Sequence, residues 1–218
     1  YEVEAEFANE FIKNSSKGFA YNPIIASGKN NNVLHYIKNN AKLKSGELVL
    51  IDVGAEYGNY SSDITRTIPI SGKFTNRQKD VYNAVLKVLI EAQKLMVPGV
   101  FLEQYDREIG KLMSSALIDL KLLDRQTVKS ENPKKPAYKK YFMHGISHHL
   151  GLDTHDYGLI DAPFQKNMVF TIEPGIYLKK EGFGIRIEDD FLISDQIGAI
   201  NLSERIPRDP DVIEDLMS

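Results

Sequence analysis

An apolar, strand-like run carrying a single acid occurs twice in this chain. Each time a second acid follows after a turn. Leu48 to Val53 is apolar on both faces except for Asp52, and Asp63 opens the next alternating run, to Ile70. Met168 to Ile172 leads into Glu173-Pro174-Gly175, and a final strand is predicted over Ile185 to Ile193 with Glu188 inside it. A carboxylate buried without compensation is too costly to keep. The fold must therefore supply these acids with a common positive charge or turn them outward. The two stretches share a layout, not residue identities: apolar strand, acid, glycine two residues later, turn, strand with acid. The layout predicts two halves related by a pseudo-twofold axis, with a site between them.

The rest of the chain reads mostly as helix. Val3, Phe7, Phe11 and Ile12 fall near helical spacing over Glu2 to Lys17, with a stop over Asn14 to Gly18. Ala20 to Tyr36 is Asn-rich and turn-like. Thr75-Asn76-Arg77-Gln78 is a capping box opening a long helix, whose buried stripe is Val81, Ala84, Val85, Val88, Leu89 and Ala92. Pro98-Gly99 ends it, and a second helix is predicted from Leu102 to about Leu122. Asp124 to Lys140 is polar and basic, and reads as a solvated loop. Helices and antiparallel hairpins interleave with no βαβ pattern. This predicts an α+β domain in which helices cover one side of a curved antiparallel sheet.

A length of 218 residues suits one full-sized domain. The net charge of −3 gives no global electrostatic case for nucleic acid or an anionic membrane, so neither is expected as a partner. No apolar run is long enough to span a bilayer. The absence of cysteine excludes disulfides, thiolate metal sites and a Cys nucleophile, and fits a reducing, cytoplasmic setting. Tyr1 rather than Met opens the chain, so a processed product or a fragment of something longer is expected.

Asp52, Asp63, Glu173 and Glu188 carry four negative charges when ionised. Packed together without cations they repel, and some stay protonated. With His148 they make a cage for two divalent ions. Oxygen-rich ligation with one imidazole suits Mn²⁺ or Co²⁺ and permits Fe²⁺ or Zn²⁺. Two such ions, roughly 3.5–4 Å apart, are a hydrolase design. Four of the five histidines lie between His144 and His155, in a segment whose glycines predict extended, turning backbone. Histidines beside a metal serve as proton shuttles and oxyanion donors. Taken singly, the same residues have plainer roles. Asp52 reads as a turn former, Asp63 as a cap, His149 as structural or as a support behind the site, Asp189 and Asp190 as solvated, and Arg186 as a partner for an acid. Tyr57 and Tyr60 fit either a pocket wall or the core.

The stretches LIDVGAEYGNYSSDITRT, FMHGISHHLGLDTHD, FTIEPGIY and GIRIEDD resemble the pita-bread metallopeptidases, which include aminopeptidase P, prolidase and methionine aminopeptidase. The resemblance runs from ASGKNNNVLHY to the closing IEDLM. It implies five metal ligands: Asp52 on one ion, His148 and Glu173 on the other, Asp63 and Glu188 bridging. It implies Glu173 as the proton-transfer residue, and His144 and His155 as catalytic, substrate-contacting histidines. His35 is placed on the pocket wall, and Arg186 and Tyr177 behind the substrate. Two divalent ions, foremost Mn²⁺, are the implied cofactors.

Within the family the MHGISHHLGLDTHDYG segment is most similar to aminopeptidase P. This implies release of the N-terminal residue from peptides with proline second. The alternatives are a prolidase, which cuts Xaa-Pro dipeptides, and a catalytically silent module that binds peptides or a protein. Family members of the first two kinds usually carry an additional N-terminal domain. Residues 1–218 are therefore expected to be the catalytic module alone, with a homo-oligomer among the expected states.

Overall fold

A computed structural model describes residues 1–159, 161–195 and 198–218. The chain opens with helix α1 (Glu2–Lys13) and strands β1 (Gly18–Phe19) and β2 (Ile24–Ser27). The first half then runs through β3 (Leu48–Val53), β4 (Ala55–Tyr57), β5 (Tyr60–Ser61) and β6 (Ile64–Pro69). Helices α2 (Asn76–Leu95), α3 (Leu102–Asp119) and the short α4 (Arg125–Lys129) lead to the second half. That half is β7 (Val169–Ile172), β8 (Gly175–Leu178), β9 (Phe183–Arg186), β10 (Asp189–Leu192) and β11 (Ile200–Asn201), closed by α5 (Pro210–Leu216).

The two halves follow one plan. In the first, β3 pairs antiparallel with β6, and the β4–β5 hairpin is an excursion between them. In the second, β7 pairs antiparallel with β10, and the β8–β9 hairpin is the excursion. An acid stands where each excursion leaves and returns: Asp52 near the end of β3, Asp63 before β6, Glu173 after β7 and Glu188 before β10. Acid-x-Gly at each exit has a steric reason. A Cβ on Gly54 would lie 1.7 Å from the Ser62 carbonyl oxygen, and one on Gly175 would lie 2.7 Å from the Tyr177 hydroxyl. The halves are stitched together where Thr65 and Glu188 form an antiparallel bridge.

β3 is the middle strand of β2-β3-β6, as its two-sided apolarity predicts. Side chains alternate across it. Val49, Ile51 and Val53 face α1 through Val3, Phe7 and Phe11. Leu48, Leu50 and Asp52 take the other face, Leu48 meeting the main core and Asp52 the site. The main core lies between α2, α3 and strands β7 to β10, with Tyr82, Leu89, Tyr105, Met113, Ile172 and Phe191 fully buried. The Thr75 capping box is present: its hydroxyl accepts from the Gln78 N–H while the Gln78 side chain accepts from the Thr75 N–H.

Four segments differ from the sequence reading. The predicted final strand over Ile185 to Ile193 is two strands, β9 turning to β8 and β10 to β7, with Ile187 and Glu188 at the break. The turn-like Ala20 to Tyr36 contains β2, whose four residues are all buried against β3. α1 ends at Lys13, short of Lys17 and just where the expected stop over Asn14 to Gly18 begins, and Ser15 takes a left-handed φ of +68°. The polar Asp124 to Lys140 loop holds α4, capped by the Asp124 carboxylate on the Thr127 N–H. No helix among the described residues is long and apolar enough to cross a membrane.

Candidate active site

The ends of the two excursions meet in a cavity of about 860 Å³, lined by Asp52, Asp63, His148, Glu173 and Glu188. Donor atoms of Asp63, His148 and Glu188 lie within 4.8 Å of one another. His148 Nε2 is 3.5 Å from Asp63 Oδ2 and 3.8 Å from Glu173 Oε1. Asp52 joins through Tyr21, whose hydroxyl lies 2.5 Å from Asp52 Oδ1 and 2.6 Å from Asp63 Oδ1. All five expected ligands therefore converge.

The electrostatics are those of an anionic cluster short of cations. Burial pushes Glu173 up to about 7, against the opposing pull of Arg186 and His148. Burial, then Asp63, Glu173 and Asp52, hold the Glu188 carboxyl well above the ordinary range. Burial also raises Asp52, although Arg186 opposes it. Arg186 Nη2 binds Asp52 Oδ2 at 2.5 Å and is the one guanidinium lining the cavity among the described residues. One cation against four carboxylates leaves the charge unbalanced.

The histidines are committed by their hydrogen bonds. His148 Nδ1 contacts the His149 carbonyl oxygen at 2.9 Å, so Nδ1 donates there and Nε2 is the nitrogen that faces the acids. Burial lowers His148, but its hydrogen bonds to Asp63 and His149 and the charges of Glu173 and Asp63 together raise it above the ordinary imidazole value. His144 Nδ1 contacts the Gly145 carbonyl oxygen at 2.8 Å, so its Nε2 accepts from the Tyr177 hydroxyl at 2.8 Å. Tyr177 in turn accepts from Arg186 Nη1 at 2.9 Å. Burial, helped by Arg186, holds His144 down at about 3, which keeps the ring neutral. His155 stacks edge-on against His148 with centroids 4.3 Å apart. Its own pKa is lowered, by burial first.

These residues fit divalent metal ions. An imidazole nitrogen and clustered carboxylate oxygens, of which three donor groups already lie within mutual reach, form the hard, oxygen-rich donor set such ions prefer. Burial disfavours the ionised carboxylates, and bound cations would remove that penalty.

The other expected site residues are placed as follows. His35, His155 and Arg186 line the cavity, and Tyr177 lies behind His144, fully buried. His149 is packed on Phe170 at 4.0 Å, in the structural role expected. Asp189 and Asp190 are not solvated. Asp189 binds Arg66 Nη2 at 2.6 Å and Arg208 Nη1 at 3.1 Å, and accepts from Asn201 and Ser203. The Asp190 carboxylate accepts from the Asp63 N–H at 3.2 Å, and burial pushes it up to about 8. Both sit on β10, which pairs on each side, so neither edge meets water. Tyr57 and Tyr60 serve neither pocket nor core; they pair across the exposed hairpin tip.

Two residues absent from the sequence reading help to hold the site. Tyr21 gave no signal, since its partners are 31 and 42 residues away. Thr65 was within reach: a period of two puts Asp63, Thr65 and Thr67 on one face of β6. Its hydroxyl donates to Glu188 Oε2 at 2.7 Å.

Paired hairpin excursions around such a ligand cluster define a metallopeptidase of the pita-bread fold. The chain belongs to metallopeptidase family M24, whose model matches residues 1–195. It is 38% identical to the Xaa-Pro aminopeptidase of Escherichia coli K12, over 100% of this chain and 51% of that protein. The structure of aminopeptidase P from E. coli with the inhibitor Pro-Leu superposes with a TM-score of 0.91 at 38% identity, covering 100% of this chain and 52% of that one. Proline aminopeptidase P II from Yersinia pestis gives the same four values. The chain thus spans about half the length of these relatives.

Proposed function

We propose that this chain is the catalytic unit of a dinuclear, Mn²⁺-dependent aminopeptidase that releases the first residue of peptides with proline second. The observation that carries the reading is the convergence of Asp52, Asp63, Glu173 and Glu188 with His148 at the ends of the two excursions. The names of its relatives, and the Pro-Leu inhibitor of one of them, support the substrate class.

In this reading Asp52, Asp63, His148, Glu173 and Glu188 hold two divalent ions, with Co²⁺, Fe²⁺ or Zn²⁺ able to replace Mn²⁺. The chemistry supplied by bound ions is Lewis-acid: a more acidic water and a polarised scissile carbonyl. Glu173, 3.5 Å from His144 and 3.8 Å from His148, takes a proton from the attacking water and returns it to the departing proline nitrogen. His155, beside His148, donates to the carbonyl oxygen as it gains charge. His144, locked by Gly145 and Tyr177, positions the peptide. Arg186 pairs with Asp52 and anchors Tyr177.

The test is a peptidase assay on the whole chain, with Xaa-Pro-Yaa tripeptides and Xaa-Pro dipeptides, with and without added Mn²⁺. Metal-dependent release of the first residue, faster from tripeptides, is expected. Cleavage of dipeptides alone would indicate a dipeptidase, and no cleavage under any metal condition would refute the reading.

A further inference from the structure

His35 lines the cavity and lies near enough to bear electrostatically on His144 and His155. Among the described residues its ring makes no hydrogen bond within the chain. Its place is therefore set by the backbone that carries it. That backbone, from Val33 to Glu47, enters neither helix nor strand.

Two side chains tie this loop down. Tyr36 packs on Ile24, Ala26 and Leu50. Asn39, 4% exposed, uses both polar atoms of its side chain. Its Oδ1 accepts from the Ile25 N–H at 2.8 Å. Its Nδ2 donates to the Pro23 carbonyl oxygen at 2.9 Å and to Glu4 Oε2 at 2.8 Å. Among the described residues, no other side chain from Leu34 to Ser45 hydrogen-bonds outside the loop. Asn39 stands at φ +46°, a left-handed conformation that asparagine tolerates better than most residues. Its partners lie on α1, on β2 and just before β2, and both elements rest on β3. β2 pairs with β3 so that Ile24 stands opposite Asp52. The anchor of the His35 loop and the acid Asp52 thus hang on one strand.

We propose that Asn39 is a positioning residue for His35: its three hydrogen bonds set where the ring stands in the cavity, and the ring in turn contacts the bound peptide. The inference rests on the Xaa-Pro reading and deepens it. Without the Asn39 side chain the loop loses its polar anchor and the ring leaves its place. The strands that carry the acids keep theirs.

The experiment uses the Mn²⁺-loaded whole chain and an Xaa-Pro-Yaa tripeptide. Asn39→Gly keeps the left-handed backbone and removes the three bonds. KM should rise about tenfold with kcat little changed, the mark of a lost binding contact. His35→Ala should do the same. The double variant should be no worse than His35→Ala alone, because Asn39 acts through His35. Mn²⁺ content should match that of the unaltered chain throughout. Glu4→Ala removes one of the three bonds from the α1 side and should raise KM by a smaller factor, only where His35 is present. If Asn39→Gly does not fold, Glu4→Ala decides by the same criteria. A normal KM in the variants, multiplied effects in the double variant, or lost Mn²⁺ would overturn the inference. A readout independent of turnover is the His35 ring signal in the NMR spectrum of the Zn²⁺-loaded chain, assigned by its loss in His35→Ala. It should shift in Asn39→Gly and in Glu4→Ala. An unmoved signal would overturn the inference whether or not any peptide is cleaved. A shifted signal with no cleavage by the unaltered chain would overturn the Xaa-Pro reading and leave the anchoring of His35 standing.

Discussion

The Glu188 N–H donates to the Thr65 carbonyl oxygen at 3.0 Å, and the Thr65 hydroxyl donates back to the Glu188 carboxylate at 2.7 Å. This reciprocal pair is where the two halves of the fold meet, and it aims one of the four acids. Thr65→Val keeps the shape but removes the hydroxyl, which also accepts from Arg186 Nε at 3.2 Å. Divalent-ion affinity, measured by calorimetry, should fall about 10–100-fold, the usual effect of losing a group that orients a ligand. Thr65→Ser should restore most of it. An affinity unchanged by Thr65→Val would remove Thr65 from the site.

Glu173→Gln keeps volume but abolishes the proton acceptor. Metal-dependent kcat on an Xaa-Pro-Yaa peptide should fall by about 10²–10⁴-fold, the range for general acid–base groups, with the thermal transition of the protein nearly unmoved. A near-normal rate would show that another residue moves the proton.

Metal removal should reverse the pH dependence of stability. In the metal-free protein Glu173 sits at about 7, raised by burial from an ordinary 4.5. A raised folded-state value means the folded chain keeps a proton that the unfolded chain releases. The resulting stability is fully present below about 4.5 and is lost as pH rises through about 7. Asp52 and Glu188 shift in the same direction. Melting of the chelated protein should therefore drop between pH 5 and pH 8, the window set by the ordinary 4.5 and the folded-state value of about 7 for Glu173. Bound divalent ions should flatten or invert that slope. Parallel slopes with and without metal would show that these carboxylates are not the ligands.

Much of this site was legible in the sequence because acids inside apolar runs are rare and costly. The layout repeat around Asp52, Asp63, Glu173 and Glu188 pointed to a shared pocket, and β3 to β10 follow that plan. The supports were less legible. Tyr21 lies in a turn segment, and only tertiary structure brings it to Asp52 and Asp63. Asp189 and Asp190 read as solvated because acids on a terminal strand usually are. β11 and Arg208 cover them, and both come from the closing segment, where no strand or helix was predicted. The break at Ile187-Glu188 was hidden because two strands with different partners form one uninterrupted alternating run.

Asp189 gives the clearest stability test away from the cavity acids. It is fully buried and paired with Arg66 and Arg208. Removing one partner of a buried ion pair strands the other. Asp189→Ala should therefore cost about 3–5 kcal/mol in urea denaturation. Glu181→Ala breaks the more exposed Arg77–Glu181 pair and should cost less than about 1 kcal/mol. Equal costs would mean that the Asp189 cluster contributes no more than a surface pair.

The most direct measurement is the metal content of the whole chain after equilibration with Mn²⁺ and removal of excess, by inductively coupled plasma mass spectrometry. About two ions per chain are expected, as a paired-metal hydrolase centre requires, falling to one or fewer in Asp63→Ala. A chain that retains no divalent ion, or as many in Asp63→Ala as in the unaltered protein, would contradict the assignment of these five residues as a dinuclear site.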